Sequence, residues 1–199
     1  MGSGFHGTNG MDAVTSYKIY HTYVLPRLIY GLEVLPLTKK HVENLETFHR
    51  KSMRYLQSLP QRIATAAIYL LVGTIPIETE LHKRKLSLLC SMLASDNSKI
   101  KEIINREISL SYDNEDSFFG SIRDILMLFD VPSITDLQAN LPSNISWRKL
   151  VRKEVDTLWL KRLQNDATAK TTLIYLAIKH LEVGTSHPLW KMKSKTRIA

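Results

Sequence analysis

The sequence predicts an all-α fold, and two observations support that prediction. Apolar residues recur every three or four positions along most of the 199 residues, which is the period of amphipathic helices. Alternation of apolar and polar residues, the pattern of half-buried strands, competes with this period only near residues 29–37. The composition, 44% hydrophobic and 23% charged, is that of an ordinary globular domain, so we expect these helices to pack around an apolar core.

Four helices are predicted in the first half of the chain. A helical run starts at Met11, and Pro26 within it is expected to cause a kink or a break because proline has no N–H donor. Thr38 is a suitable N-cap for the second helix. Gly73 is expected to stop a short apolar helix, and Pro76 opens a fourth helix in its first turn, where proline is tolerated.

Cap residues at positions 95–98 interrupt the helical pattern, so the chain is expected to divide there into two helical halves. The elements expected after this break are, in order, a helix over residues 100–108, an acidic loop over 111–116, a helix capped by Asp116 or Ser117, a short helix between Pro132 and Pro142, a long helix capped by Ser146, and a last helix over 171–181. The predicted organisation is a glycine-rich lead-in (1–10), a first helical domain (11–95), a second helical domain (96–190) and a basic disordered tail (191–199).

Charge is unevenly distributed along the chain. The net charge is +8, and by segment it is +5 over residues 38–90, −5 over 91–140 and +8 over 141–199. Two basic regions that flank an acidic one favour an anionic partner. The same pattern also fits solvated basic helices beside an acidic loop, so charge alone leaves both interpretations open.

Several classes of site are excluded by the residues present. The single cysteine, Cys90, excludes an internal disulfide and a cysteine-based zinc site, and it suits a reducing intracellular compartment, nuclear or cytoplasmic. The histidines show no HExxH spacing, and no two aspartates are adjacent. The acidic loop resembles a calcium loop but has Phe118 where the turn glycine should stand. We therefore expect no catalytic residue, no metal, no cofactor and, without a long apolar run, no membrane partner.

Aromatic and basic residues are interleaved at several places. Tyr55 follows Arg54, and Trp147 precedes Arg148. Aromatic rings can stack on nucleobases while cations contact phosphates. Most of these rings also fall on apolar helical stripes, which favours a core position for each ring taken alone.

Four segments resemble the helical thumb of non-LTR retrotransposon reverse transcriptases. They are YVLPRLIYGLEVL (23–35), LQSLP (56–60), AIYLLVGTIPI (67–77) and ELHKRKLSLL (80–89). The MGSGFHG sequence of residues 1–7 is also similar to the segment by which that family leaves the palm. The resemblance is strong over residues 1–95 and continues more weakly through Trp190.

This resemblance implies a thumb-like bundle followed by a helical connector, whose partners are RNA, RNA/DNA hybrid duplex and the fingers–palm region of the parent polymerase. The palm with its paired aspartates and the C-terminal Cys/His cluster of many relatives are absent from the sequence. The chain is therefore expected to bind primer–template without polymerising on its own, and Mg is expected only at the palm.

The basic faces of the predicted helices supply the expected phosphate contacts, which carry affinity without sequence information. The candidate nucleic-acid-binding residues are Lys39, Lys40, Arg50, Lys51, Arg54, Arg62, Lys83, Arg84, Lys85, Arg148, Lys149, Arg152, Lys153 and Arg162. Two alternatives remain open at this point. The opposite charges of adjacent segments fit a helical protein-interaction module, and the missing palm fits a nonfunctional fragment of a decayed element.

Overall fold

The computed structural model describes residues 11–111, 114, 117–177 and 182–191. Within these ranges the secondary structure is helical and includes no strand, which confirms the predicted all-α fold class. The α-helices are α1 (Ala13–Ile19), α2 (Leu25–Leu28), α3 (Lys39–Leu56), α4 (Thr65–Val72), α5 (Ile77–Leu93), α6 (Ser98–Ser111), α7 (Phe118–Leu128), α8 (Ile134–Ala139), α9 (Asn144–Thr168) and α10 (Ile174–Ala177). A π-helical turn covers Tyr20–Val24, and 3₁₀ turns cover Leu32–Val34, Thr171–Leu173 and Pro188–Lys191.

The helices form two compact units. The first unit comprises Met1–Leu28, Asn44–Ile77 and Trp159–Ala199, and the second comprises Ile29–Glu43 and Glu78–Leu158. The domains predicted from the sequence, 11–95 and 96–190, follow the chain in order, whereas the chain enters each unit more than once. The predicted boundary at residues 95–98 lies inside the second unit.

Pro26 changes the hydrogen-bond register of the first helical run. In a regular helix its ring would press on the carbonyl of Thr22, and it has no N–H to donate there. The turn from Tyr20 to Val24 is π-helical, and the N–H of Leu25 donates to the carbonyl of Tyr20 five residues earlier. The kink or break expected at Pro26 takes the form of a π turn that leads directly into α2.

Helix α4 forms the centre of the first unit. Every residue from Ala66 to Val72 is buried, as expected for a helix that is apolar on all sides. Helices α1 and α10 pack against it. Helix α3 contributes His49 and Met53, both buried, while Phe48 is exposed.

His49 belongs to a buried polar network in this unit. Its Nδ1 lies 2.9 Å from the hydroxyl of Tyr20, and its ring stacks on Tyr69 with the centroids 5.9 Å apart. The hydroxyl of Tyr69 donates to one carboxylate oxygen of Glu46, and the other oxygen accepts the N–H of Ile77 at 2.9 Å. Burial lowers the pKa of His49 to about 4 and raises the pKa of Tyr20 to about 12.

The C-terminus of α4 is closed by Gly73 and by residues 184–187. Gly73 has φ +69°, the left-handed conformation of a helix stop, as the sequence predicts. The N–H of Gly184 donates to the carbonyl of Gly73 at 2.7 Å, and the N–H of His187 donates to the carbonyl of Leu71 at 2.9 Å. These bonds satisfy carbonyls that a helix end would otherwise leave unpaired.

The second unit buries the apolar faces of its helices around one core. Its fully or nearly fully buried side chains include Leu81, Leu86, Leu89, Phe119, Ile122, Leu126, Ile134, Leu137, Trp147, Val151 and Val155. Ser117 caps α7 by accepting the N–H of Gly120 at 2.9 Å, one of the two caps predicted there. Ser133 and Asp136 form a capping box at the start of α8.

One boundary prediction from the sequence is wrong. Helix α9 begins at Asn144, and it is Ser143 whose Oγ accepts the N–H of Ser146 at 3.2 Å, so Ser143 takes the capping position predicted for Ser146. The helix predicted over 171–181 begins at the predicted residue, as a 3₁₀ turn that becomes α-helical at Ile174, and its predicted end at 178–181 lies outside the described residues. The lead-in 1–10, the alternative cap Asp116 and residues 192–199 of the predicted tail lie outside the described residues.

Replacing Gly73 tests the closure of α4. A Cβ at this position would overlap the backbone carbonyl of Thr185, in addition to the cost of a positive φ. We expect Gly73→Ala to lower the free energy of unfolding by roughly 2–4 kcal/mol, measured by urea denaturation. Gly31 is the matched control because it has φ +75° with nothing near its added Cβ. Gly31→Ala should cost only about 1 kcal/mol, and equal losses in the two variants would contradict the contact.

The depressed pKa of His49 predicts that acid destabilises the fold. Between its ordinary pKa of 6.5 and about 4, His49 binds a proton in the unfolded chain but not in the folded one. The free energy of unfolding should therefore fall as the pH drops through this window, by at most about 1.4 kcal/mol per pH unit from this group. In urea denaturation at pH 4.5–7, His49→Gln should show a shallower pH dependence than the parent chain. An equal pH dependence of the free energy of unfolding in the two chains would show that His49 does not cause it.

Candidate nucleic-acid interface

Trp147 fixes α9 against α5 in the second unit. Its indole ring is fully buried, and its Nε1–H donates to the carbonyl of Leu86 at 2.8 Å. Val151, one turn further along α9, is also buried. The buried indole ring has one position in which it fits the core and its N–H reaches an acceptor. This contact therefore sets which residues of α5 lie beside which residues of α9.

A shallow groove of about 180 Å³ lies along this helix pair. It is lined by residues from both helices: Glu80, Lys83, Arg84, Ser87, Trp147, Arg148, Val151 and Arg152. Four of these are cations and one is a carboxylate. Residues some 60 positions apart in the sequence, assigned there to two separate basic regions, thus meet in one groove.

The cations of the groove differ in whether a carboxylate pairs with them. The Nζ of Lys83 lies 3.1 Å from a carboxylate oxygen of Glu80 and 2.8 Å from one of Asp156. Arg148 donates through Nε to the hydroxyl of Ser87 at 3.2 Å. Within the described residues, Arg84, Arg148 and Arg152 make no ion pair with a carboxylate. Three guanidinium groups therefore dominate the charge of the groove.

Lys85 is placed differently from its neighbours on α5. Its exposed fraction is 5%, and its Nζ donates to the hydroxyl of Ser121 at 3.2 Å. Burial lowers the pKa of this ammonium. Unlike the other candidates, Lys85 has its side chain directed into the second unit, so we leave it out of the interface.

A second set of candidates lies on α3 in the first unit. Lys51 is exposed, and Arg50 and Arg54 are half-buried. Arg50 donates to the hydroxyl of Thr47 at 3.2 Å. Spacings of four and three residues make Arg54 the neighbour of Arg50 and of Lys51 on the helix surface. Arg62, also a predicted contact, is exposed beyond the end of α3.

The remaining candidates are solvent-exposed and are not part of the groove. Lys39 and Lys40 lie in the first turn of α3, in the second unit. Lys149 and Lys153 lie on α9, where the Nζ of Lys153 is 3.5 Å from a carboxylate oxygen of Glu154. Arg162, in the first unit, stacks over Trp159 with its Cζ 5.0 Å from the ring centroid.

Sequence reasoning did not identify Ser87, Glu80 and Asp156 as parts of this surface. Ser87 orients Arg148, and the two carboxylates hold Lys83. The three- and four-residue spacings of Glu80, Lys83, Arg84 and Ser87 on α5 could have grouped them on one face. No sequence signal links that face to Asp156, because the link depends on how α9 packs.

The described residues also include His, Asp and Glu side chains, which can ligate metals, and the thiol of Cys90. They contain no group of three or more His, Cys, Asp or Glu side chains placed to hold a metal ion. The buried thiol of Cys90 donates to the side-chain carbonyl of Asn144 at 3.2 Å, and burial raises its pKa. This environment keeps the sulfur in its unreactive thiol form.

No protein-family model matches the chain, and neither the curated proteins nor the solved structures contain a significant match. Among the helices of the described residues, none has the length and apolar character needed to cross a bilayer.

Proposed function

We propose that the chain binds the sugar–phosphate backbone of nucleic acid as the thumb and connector part of a non-LTR retrotransposon reverse transcriptase. RNA and RNA/DNA hybrid duplex are the proposed ligands. Two independent lines support the proposal. The first is the resemblance of residues 1–95 to that family, and the second is the groove between α5 and α9.

The convergence of Arg84, Arg148 and Arg152 on one groove carries the proposal. Their guanidinium groups have no carboxylate partner among the described residues, so they are available to an external anion. Guanidinium matches phosphate by two parallel hydrogen bonds and stays charged at all physiological pH values. Contacts of this kind position a strand without reading its sequence.

Under this proposal the chain grips a strand and another part of the polymerase makes the phosphodiester bond. The reaction would be catalysed at the paired aspartates of a palm, which these 199 residues do not contain. Any Mg²⁺ would act there, and the residues of this chain would hold the primer–template.

A protein-interaction module is the second candidate function, and one observation favours it. Met127, which is 74% exposed, borders a groove that also includes the carboxylates of Asp130 and Asp136. Arg123, which also lines this groove, is paired with Asp124 at 3.0 Å. An exposed apolar side chain beside acidic groups suits a basic protein partner. The groove beside Met127 and the groove between α5 and α9 both lie in the second unit, so separate variants can test them.

The salt dependence of binding tests the arginine groove. We expect the logarithm of the affinity for a 20-bp duplex to fall linearly with the logarithm of salt, because phosphate contacts release counterions. Arg148→Gln/Arg152→Gln should weaken binding of all sequences alike and reduce the magnitude of the slope by roughly 1.8, about 0.9 per lost phosphate contact. Fluorescence anisotropy at several salt concentrations measures both quantities.

The matched control is Lys99→Gln/Lys101→Gln. It removes the same two charges from exposed positions on α6 in the same unit. Binding by this variant should keep the parent slope. Equal effects of the two double variants would show that only net charge matters, and absence of duplex binding at low salt would refute the proposed function.

A further inference from the structure

Two aromatic rings on α3 are exposed to solvent. Phe48 is 48% exposed and Tyr55 is 54% exposed. They are seven residues apart, so they lie two turns apart on one side of the helix, about 10.5 Å along its axis. Lys51 is exposed between them on the same side. All three residues belong to the first unit.

His49 explains why Phe48 lies outside the core. Either residue could continue the apolar stripe of α3, and the structure buries His49, which contacts Tyr20 and Tyr69. Helix geometry then turns Phe48 about 100° away, toward the side of Lys51 and Tyr55. The exposed rings are therefore a fixed consequence of the packing of this unit.

The surroundings of the rings select the chemistry of their partner. Lys51 lies between the rings, and Arg54, three residues further on, is its neighbour on the helix surface. A partner must therefore combine flat apolar faces with negative charge. Unpaired nucleobases on a phosphate backbone have both properties, whereas the bases of a duplex hide their faces in the stack.

We infer that the outward side of α3 from Phe48 to Tyr55, the aromatic face, binds single-stranded nucleic acid by stacking unpaired bases on its two rings. This inference rests on the proposed nucleic-acid binding and adds a strand preference to it. Lys51 and Arg54 would hold the phosphates that join the stacked bases.

The distance between the rings adds a constraint on the strand. Stacked planes are separated by about 3.4 Å, so the roughly 10.5 Å between the rings corresponds to three such steps, from ring to base, base to base and base to ring. Two neighbouring unpaired bases can therefore stack between Phe48 and Tyr55. Oligouridylate, a flexible strand whose bases are unpaired, is a suitable ligand to present them.

Binding of three labelled probes tests the aromatic face: a 20-nucleotide oligouridylate, a 20-bp duplex and a 20-unit abasic strand. Phe48→Ala/Tyr55→Ala should weaken oligouridylate binding by roughly tenfold per ring and leave duplex binding within about twofold. Phe48→Trp/Tyr55→Phe, which keeps both rings, should retain the parent affinity. The parent chain should bind the abasic strand roughly a hundredfold more weakly than oligouridylate, tenfold for each ring, and this comparison needs no variant to fold.

Tyr30→Ala provides the control, since Tyr30 is 82% exposed and belongs to the second unit, whereas Phe48 and Tyr55 belong to the first. It should bind all probes like the parent. If the parent binds duplex but the alanine variant and the abasic strand show no loss, the inference is wrong while the proposed function stands. If the parent binds no probe, the proposed function fails. Sedimentation that shows a dimer abolished by the alanine variant, with oligouridylate binding unchanged, would assign the face to protein contact and overturn the inference.

Discussion

The hydrogen bond from the indole of Trp147 to the carbonyl of Leu86 determines the surface of the second unit. A fully buried ring with one polar group has one position that satisfies both packing and hydrogen bonding. A shift of α9 by one turn would leave the indole N–H unpaired in the core. With the register fixed, Arg84, two residues before Leu86, and Arg148, directly after Trp147, face the same groove.

The basic residues of this helix pair differ in burial and in their charged or polar partners. Lys83 is held by two carboxylates, and Lys85 is buried against Ser121 with a lowered pKa, so both contribute to the fold of the unit. Arg84, Arg148 and Arg152 make no ion pair with a carboxylate among the described residues, and we propose that their hydrogen-bond donors contact an external anion. In the first unit two consecutive residues of α3 also differ in their surroundings: His49 is buried and Phe48 is exposed.

Local features of the fold were predictable, and tertiary ones were not. The caps by Thr38 and Ser117 and the stop at Gly73 follow from side-chain chemistry within a few residues, so the sequence contains them. The positions of His49 and Phe48 could not be resolved, because neighbours on a helix differ by only 100° and both fit the stripe. The burial of Lys85 and the meeting of Arg84 with Arg148 depend on helix packing over some 60 residues, for which a single sequence has no signal.

The most direct measurement is a two-dimensional NMR titration that follows the arginine Nε–H signals while a short duplex is added. Arginines 84, 148 and 152 should shift together and saturate at one ligand concentration, because they line the same groove. Arg106 and Arg123, which lie in the same unit but outside the groove, should remain in place. Shifts centred on Arg106 and Arg123, or spread evenly over all arginines, would contradict a phosphate-binding groove between α5 and α9.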